Sequence, residues 1–319
     1  MNINIPLVNK VAGRFRIFVK NSEGEVTKDT GWFDNLITNQ GMDWLGTAPP
    51  NYGVSYSQQL ICTHCGVGTG NTAPTVADTH LTSFLAMYPP ATNGNVEGFS
   101  TSTYVAGPPT YWSGIFVYNF AVGAVVGNIA EIGCGNTAST DTQPQLFSHA
   151  LIVDSLGSPT TISLTSADAL VVNYELRMYL DLTDNTYSMV IAGVTYSGTY
   201  RRDEVTIVPH YYLTISYDIN GTPFYLTAYN GTIGTVTGQP SGTSYRVSSS
   251  THVAYTLGSY TSQQTNNFAL GDANLSGGIT AIRTESNQGN YQFAVSPAIP
   301  KTAAYTLTIT WSVTWARYP

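Results

Sequence analysis

Apolar and polar residues alternate along much of the chain, the period of strands with one buried face. In residues 14–20, Phe15, Ile17 and Val19 share a side. Asn21-Ser22-Glu23-Gly24 follows with turn chemistry, so a hairpin is predicted, returning over residues 25–30. In residues 170–180, Leu170, Val172, Tyr174, Leu176, Met178 and Leu180 form one face, and Asn173, Glu175 and Arg177 the other. Near the end, Tyr305, Leu307, Ile309, Trp311, Val313 and Trp315 alternate with Thr and Ser. That predicts a long half-buried strand, whose second face suits β-branched Thr.

Helical patterns are few. Residues 37–45 predict a short helix, capped by Thr38 or Asn39 and stopped at Gly46. Residues 76–87 predict a second, with Pro74 before it, Asp78 as cap, and Leu81, Phe84, Leu85 and Tyr88 on one side. No heptad pattern or long helix is present. Pro and Gly cluster at 47–53, 88–109 and 234–242, and the middle cluster reads as a long surface loop or an arm lying on a neighbour. Near residues 181–185 the composition shifts toward Tyr, Thr, Ser and Gly, which places a domain boundary between 1–182 and 183–319. The expected fold class is all-β: β-sandwich-type domains with one or two short helices.

Composition narrows the function. Charged residues are 10% of the chain, against about 25% in ordinary soluble domains. Lys+Arg is 12 and Asp+Glu 19, with no basic run, so nucleic acid is not an expected partner. Mean hydropathy is −0.03 and no long apolar run occurs, so a membrane is not expected either. Thr, Ser, Asn, Gly and 22 Tyr take the place of charge, which suits sheet faces that meet protein or sugar. Residues 1–6 lack the layout of a secretory signal, so a chain working outside a bacterial cell would leave by a route other than the usual export, cell lysis being one.

Candidate chemistry is sparse. Cys62-Thr63-His64-Cys65 has CxxC spacing but no second ligand pair, and Cys134 stands far off in sequence. Reduced, partly buried thiols are expected, with no metal and no cofactor. His64, His80, His149, His210 and His252 carry no local motif, and no GxSxG, HExxH or Walker-type loop occurs. Gly66-Val67-Gly68-Thr69-Gly70-Asn71 lacks the Lys of a phosphate loop and reads as a loop entering the second helix. Asp203-Glu204 after Arg201-Arg202 reads as surface ion pairs, and Glu175 with Arg177 as a structural pair. No catalytic residue is assigned, and the chain is expected not to be an enzyme.

Four stretches carry a resemblance. They are Gly13-Arg14-Phe15-Arg16 leading to residues 30–38, Gly66 to Pro74 followed by Asp78-Thr79 and Leu81, Gly127-Asn128-Ile129-Ala130-Glu131-Ile132-Gly133, and residues 146–162 running on to Tyr174-Glu175-Leu176-Arg177. Together they resemble a family of tail or tail-fibre-associated virion proteins of tailed bacteriophages, over roughly residues 13–180. The family's usual text has Arg where His149 stands. The resemblance implies a structural virion protein, tail-associated as adaptor, baseplate or fibre-base component, with other virion proteins as partners.

Two alternatives accompany that reading. One is a receptor-binding tail protein meeting host-surface glycan through Tyr211, Tyr212, Tyr217, Tyr225, Tyr229, Tyr245, Tyr255 and Tyr260; the reading preferred for these rings is that they fill sheet faces and subunit contacts. The other is a capsid-decorating protein. Within the resembling stretches, Trp32 and Phe33 are expected in the core, and Phe147, Leu151 and Ile152 at a buried sheet edge. A homo-oligomer is expected, a trimer first by analogy with tail appendages, because charge is low, the terminal strand is nearly uncharged and residues 88–109 look like an arm.

Overall fold

The protein is described by a computed structural model, which covers residues 7–47, 61–88, 103–137, 142–191, 193–207, 225–247, 250–286 and 289–319. Among these, 21 strands and one six-residue helix are present, so the chain is all-β.

One sheet of eight strands forms the backbone of the molecule. Its order is β17 (Ser250–Val253), β18 (Thr261–Phe268), β21 (Leu307–Arg317), β1 (Leu7–Lys20), β12 (Ala169–Tyr179), β7 (Tyr111–Phe120) and β6 (Thr103–Val105), with β2 (Val26–Asp34) also paired to β1. The sheet therefore draws strands from both sides of residue 182. β1 meets β21 in parallel over residues 7–11 and β12 antiparallel along Lys10–Lys20. A five-stranded sheet, β3 (Leu36–Ile37), β10 (Gln145–Leu151), β9 (Glu131–Asn136), β4 (His64–Gly68) and β5 (Phe84–Tyr88), faces it. β8 (Gly127–Ile129) and β11 (Ile162–Leu164) make a small ribbon. A six-stranded sheet runs β13 (Asn185–Ile191), β14 (Val194–Asp203), β20 (Asn290–Ile299), β19 (Ile279–Glu285), β15 (Tyr225–Tyr229) and β16 (Ser244–Val247).

The alternation in the sequence becomes two cores on one side of the large sheet. Phe15, Ile17, Phe116, Leu170, Val172 and Tyr174 pack with Val67, Ile132 and Phe147 of the five-stranded sheet. Leu307, Ile309, Trp311 and Val313 pack with Leu226, Ile282, Phe293 and Val295 of the six-stranded sheet. At roughly 1.5–3 kcal/mol per fully buried large side chain, these layers are the main source of stability. Between the two cores, buried Asn9 accepts from Tyr291 Oη at 2.8 Å and from Arg202, whose guanidinium lies 4.7 Å from the Tyr291 ring and 5.4 Å from Trp112. The terminal strand lies between β18 and β1, so both of its edges are paired within this chain.

The predicted hairpin turn forms: Asn21 Oδ1 accepts from the backbone N–H of Glu23 and Glu25 at 3.0 and 2.9 Å, and Gly24 has φ +85°. The first predicted helix forms too, as α1 (Asn39–Trp44). Thr38 is the N-cap, accepting from Gly41 N at 2.9 Å while its hydroxyl donates to Leu146 O at 2.7 Å.

The second predicted helix does not form. Residues 76–83 make turns, and 84–88 are β5. Backbone N–H groups of Thr82 and Ser83, which a helix would spend on carbonyls, donate to the Glu131 carboxylate at 3.0 and 2.6 Å. A buried charge outbid a weak local preference. Gly66–Gly68 is strand, not a loop into a helix, because β4 is paired with β5 on one side and β9 on the other. Phe33, Phe147 and Ile152 are buried as expected, whereas Leu151 is half-buried, and so is Trp32, 4.4 Å beneath the Arg14 guanidinium. Most of the 88–109 cluster, residues 89–102, lies outside the described residues.

Candidate functional site: a histidine held between two carboxylates

A buried polar centre in the first core is built by three of the four resembling stretches. β9 opens with Glu131, placed inward between Ala130 and Ile132. β10 brings His149 opposite Gly133 in register, beside Glu131. The turn after Pro74 supplies Asp78, fixed by bonds from Thr75 N at 2.9 Å and Thr75 Oγ1 at 2.6 Å. His149 Nδ1 lies 2.7 Å from Asp78 Oδ2, and Nε2 lies 3.0 Å from Glu131 Oε2. The His149 side chain is 1% exposed and that of Glu131 0%. Gly70 N also donates to Glu131 at 3.1 Å. A Cβ at Gly70 would collide with that carboxylate, so the glycine run is needed for backbone to approach a buried acid.

Electrostatics favours the charged form of all three groups. Burial works against a charged imidazole, but the hydrogen bonds it donates to Glu131 and Asp78 outweigh that and raise the pKa of His149 above its ordinary value. Burial likewise works against Glu131, yet the bonds from His149, Ser83 and Thr82 hold its pKa below normal. Asp78 is lowered in the same way by Thr75 and His149. A doubly protonated ring donates to both carboxylates at once. Both ring nitrogens are committed and the ring is sealed from solvent, so proton transfer to a substrate would first require breaking one of these bonds. The arrangement is a tie that joins a turn, β9 and β10.

The remaining chemistry-bearing residues are dispersed. His64 is buried, with its pKa pushed down to about 4 by burial, and rests between Thr63 and Thr137 hydroxyls at 2.7 and 3.2 Å. His80 is exposed, His252 is half-buried, and His210 lies outside the described residues. Cys134, remote in sequence, pairs in register with Cys65, and its Sγ lies 3.2 Å from Cys62 Sγ. All three thiols are free and fully buried, not partly as expected; burial pushes Cys62 and Cys65 well above the ordinary thiol range. Among the described residues, no group of three His, Cys, Asp or Glu is arranged to hold a metal ion.

The 201–204 run departs from the surface pairs expected. Arg201 meets Asp184 at the surface at 2.6 Å, but Arg202 and Asp203 are buried. Asp203 is pushed up to about 6 by burial, against the pull of Arg283 at 2.7 Å, and Glu204 and Glu285 complete the cluster. Glu175 and Arg177 pair as predicted, at 3.1 Å, with Arg14 and Ser113 on the same carboxylate.

Sequence reasoning assigned no role to Glu131, His149 or Arg283. A lone charge inside an otherwise apolar strand was the available signal, because such a group must find a buried partner. Of the tyrosines considered for sugar, Tyr229 is buried, Tyr255 stacks on Trp315 at 5.8 Å with its hydroxyl on Asp43, Tyr260 bonds Asn39, Tyr225 lies beneath Arg246 and Tyr245 bonds Asp272. Tyr211, Tyr212 and Tyr217 lie outside the described residues. No protein-family model, curated protein or solved structure matches the chain.

Proposed function

We propose that this chain is a non-enzymatic structural component of a tailed-phage particle, tail-associated, working among other virion proteins and copies of itself. The observation that carries the reading is the His149 centre. The stretches that resemble virion proteins converge on a sealed tie, not on an open cleft, and spend their glycines and charges on holding strands together. A chain of which only 10% is charged supports the same reading, since mixed charge is what normally keeps free proteins apart. Mass spectrometry of purified particles, with imaging of particles lacking the protein, tests it. Presence in the particle and loss or truncation of tails in the deletion are expected; absence from particles refutes it.

Recognition of host glycan is a second reading, favoured by one feature. A cleft of about 140 Å³ lies where β14 passes the start of β13, lined by Asp181, Thr183, Asn185, Tyr200 and Arg201. An aromatic ring beside paired donors and acceptors suits one sugar unit. Deletion particles that keep intact tails but fail to adsorb would favour this reading.

A further inference from the structure

Most sheet edges here are short or guarded. β3 has two residues, β6, β8 and β11 have three each, and β16 and β17 four each. β2 is longer but carries Lys28, Asp29 and Asp34 and two breaks in register. β5 has five residues and runs directly into Pro89-Pro90. Charges, prolines, bulges and brevity are how proteins keep edges from pairing.

β13 has none of these protections. Among the described residues it ends the six-stranded sheet; it spans seven residues from Asn185 to Ile191, contains no charge or proline, and pairs with β14 in unbroken register. The β13–β14 hairpin also outruns its sheet: the pairing of β14 with β20 stops at Ser197–Ser296, so Val194–Tyr196 have β13 as their one strand neighbour among the described residues. Val190 is 70% exposed and Val194 45% exposed there. Two-stranded ribbons are marginal in water and gain from a third strand.

We propose that β13 is a self-association edge, pairing antiparallel with β13 of a second copy across a two-fold axis at Ser188. The strand is complementary to its own reverse about that residue. Tyr187 then stands opposite the second copy's Met189 and Thr186 opposite its Val190, each pair on one face of the sheet. Tyr187 and Met189 already lie on the core side, and Thr186, Ser188 and Val190 face outward. No like charges oppose one another anywhere along the seven residues. The result is a continuous sheet of twelve strands, six from each copy, and an isologous contact closes at two. The proposal specifies the self-association included above but does not need the virion reading: it concerns the isolated chain, whereas the particle experiment concerns location.

Mass in solution tests it, by light scattering across about 1–100 µM, the range suited to an interface of modest area. Twice the chain mass of 34.3 kDa is expected at the upper end. Ser188→Lys places two ammonium groups face to face at the axis and should weaken the dimer at least tenfold, with thermal unfolding unchanged because the site is exposed. Ser188→Cys, incubated with oxidised glutathione, should form a covalent dimer: the two thiols become one disulfide, and glutathione disulfide is reduced to two glutathione thiols. Val126→Cys, exposed but distant in the fold, should not. A mass of one copy at every concentration, a mass of three, or association that Ser188→Lys leaves intact would overturn the proposal.

Discussion

Replacing His149 by Phe keeps a flat ring in the site and removes both hydrogen bonds to carboxylates. Asp78 can turn to water, since it is partly exposed, but Glu131 is sealed and loses its counter-charge. Breaking a buried pair by deleting one partner costs about 3–5 kcal/mol. Glu131 retains donors at Gly70, Thr82 and Ser83, which places the expected loss near the lower end, about 3 kcal/mol. Urea unfolding followed by tryptophan fluorescence, repeated from pH 5 to 9, measures it.

The pH dependence separates charge from shape. His149 has a raised folded pKa, so its stabilisation is complete below the unfolded value of about 6.5 and fades as pH rises through the folded value. Glu131 and Asp78 have lowered pKa values, so theirs is present above about pH 4.5 and fades on acidification. The gap between the natural protein and His149→Phe should therefore be widest near pH 5–6.5 and narrow toward pH 9. Glu131→Gln added to His149→Phe should recover part of the loss, because the lone buried charge is gone. A gap under about 1 kcal/mol, or one that is flat from pH 5 to 9, would refute the view that a charged imidazole ties these strands.

Three further outcomes follow from the same geometry. Gly70→Ala should cost about 1–3 kcal/mol in urea, since its methyl meets the Glu131 carboxylate and Thr82, while Gly157→Ala, in open space at φ +80°, should cost less. Thr38→Ala should cost roughly 2 kcal/mol by the same assay, removing the cap of α1 and the bond to Leu146 O together. A disulfide-based thiol reagent should modify none of Cys62, Cys65 and Cys134 in the folded chain and all three after denaturation, and modification before unfolding would show that the first core opens locally.

What the sequence determined by itself was local. Alternation marked β1, β12 and β21 and named their buried faces, because a period of two survives in any environment that covers one side of a strand. Asn21–Gly24 and Thr38 announced a turn and a cap, since both depend on bonds within a few residues. The Glu175–Arg177 pair was legible for the same reason, two residues apart on one face. What the tertiary structure decided was which distant groups meet. Residues 76–87 have an acceptable helical pattern, but Glu131 arriving from β9 takes the N–H groups of Thr82 and Ser83, and pairing with β4 makes residues 84–88 a strand. Cys134 reached Cys62, and Asp203 reached Arg283, through strand pairing that no local pattern encodes. The terminal strand needed cover from this chain or a neighbour, and only the assembled sheet shows that β18 and β1 supply it; among the described residues the unguarded edge is β13, whose sequence is unremarkable by itself. Pairing partners are chosen by the balance of burial over the whole chain, so edges and buried charges become visible only once the sheets are assembled.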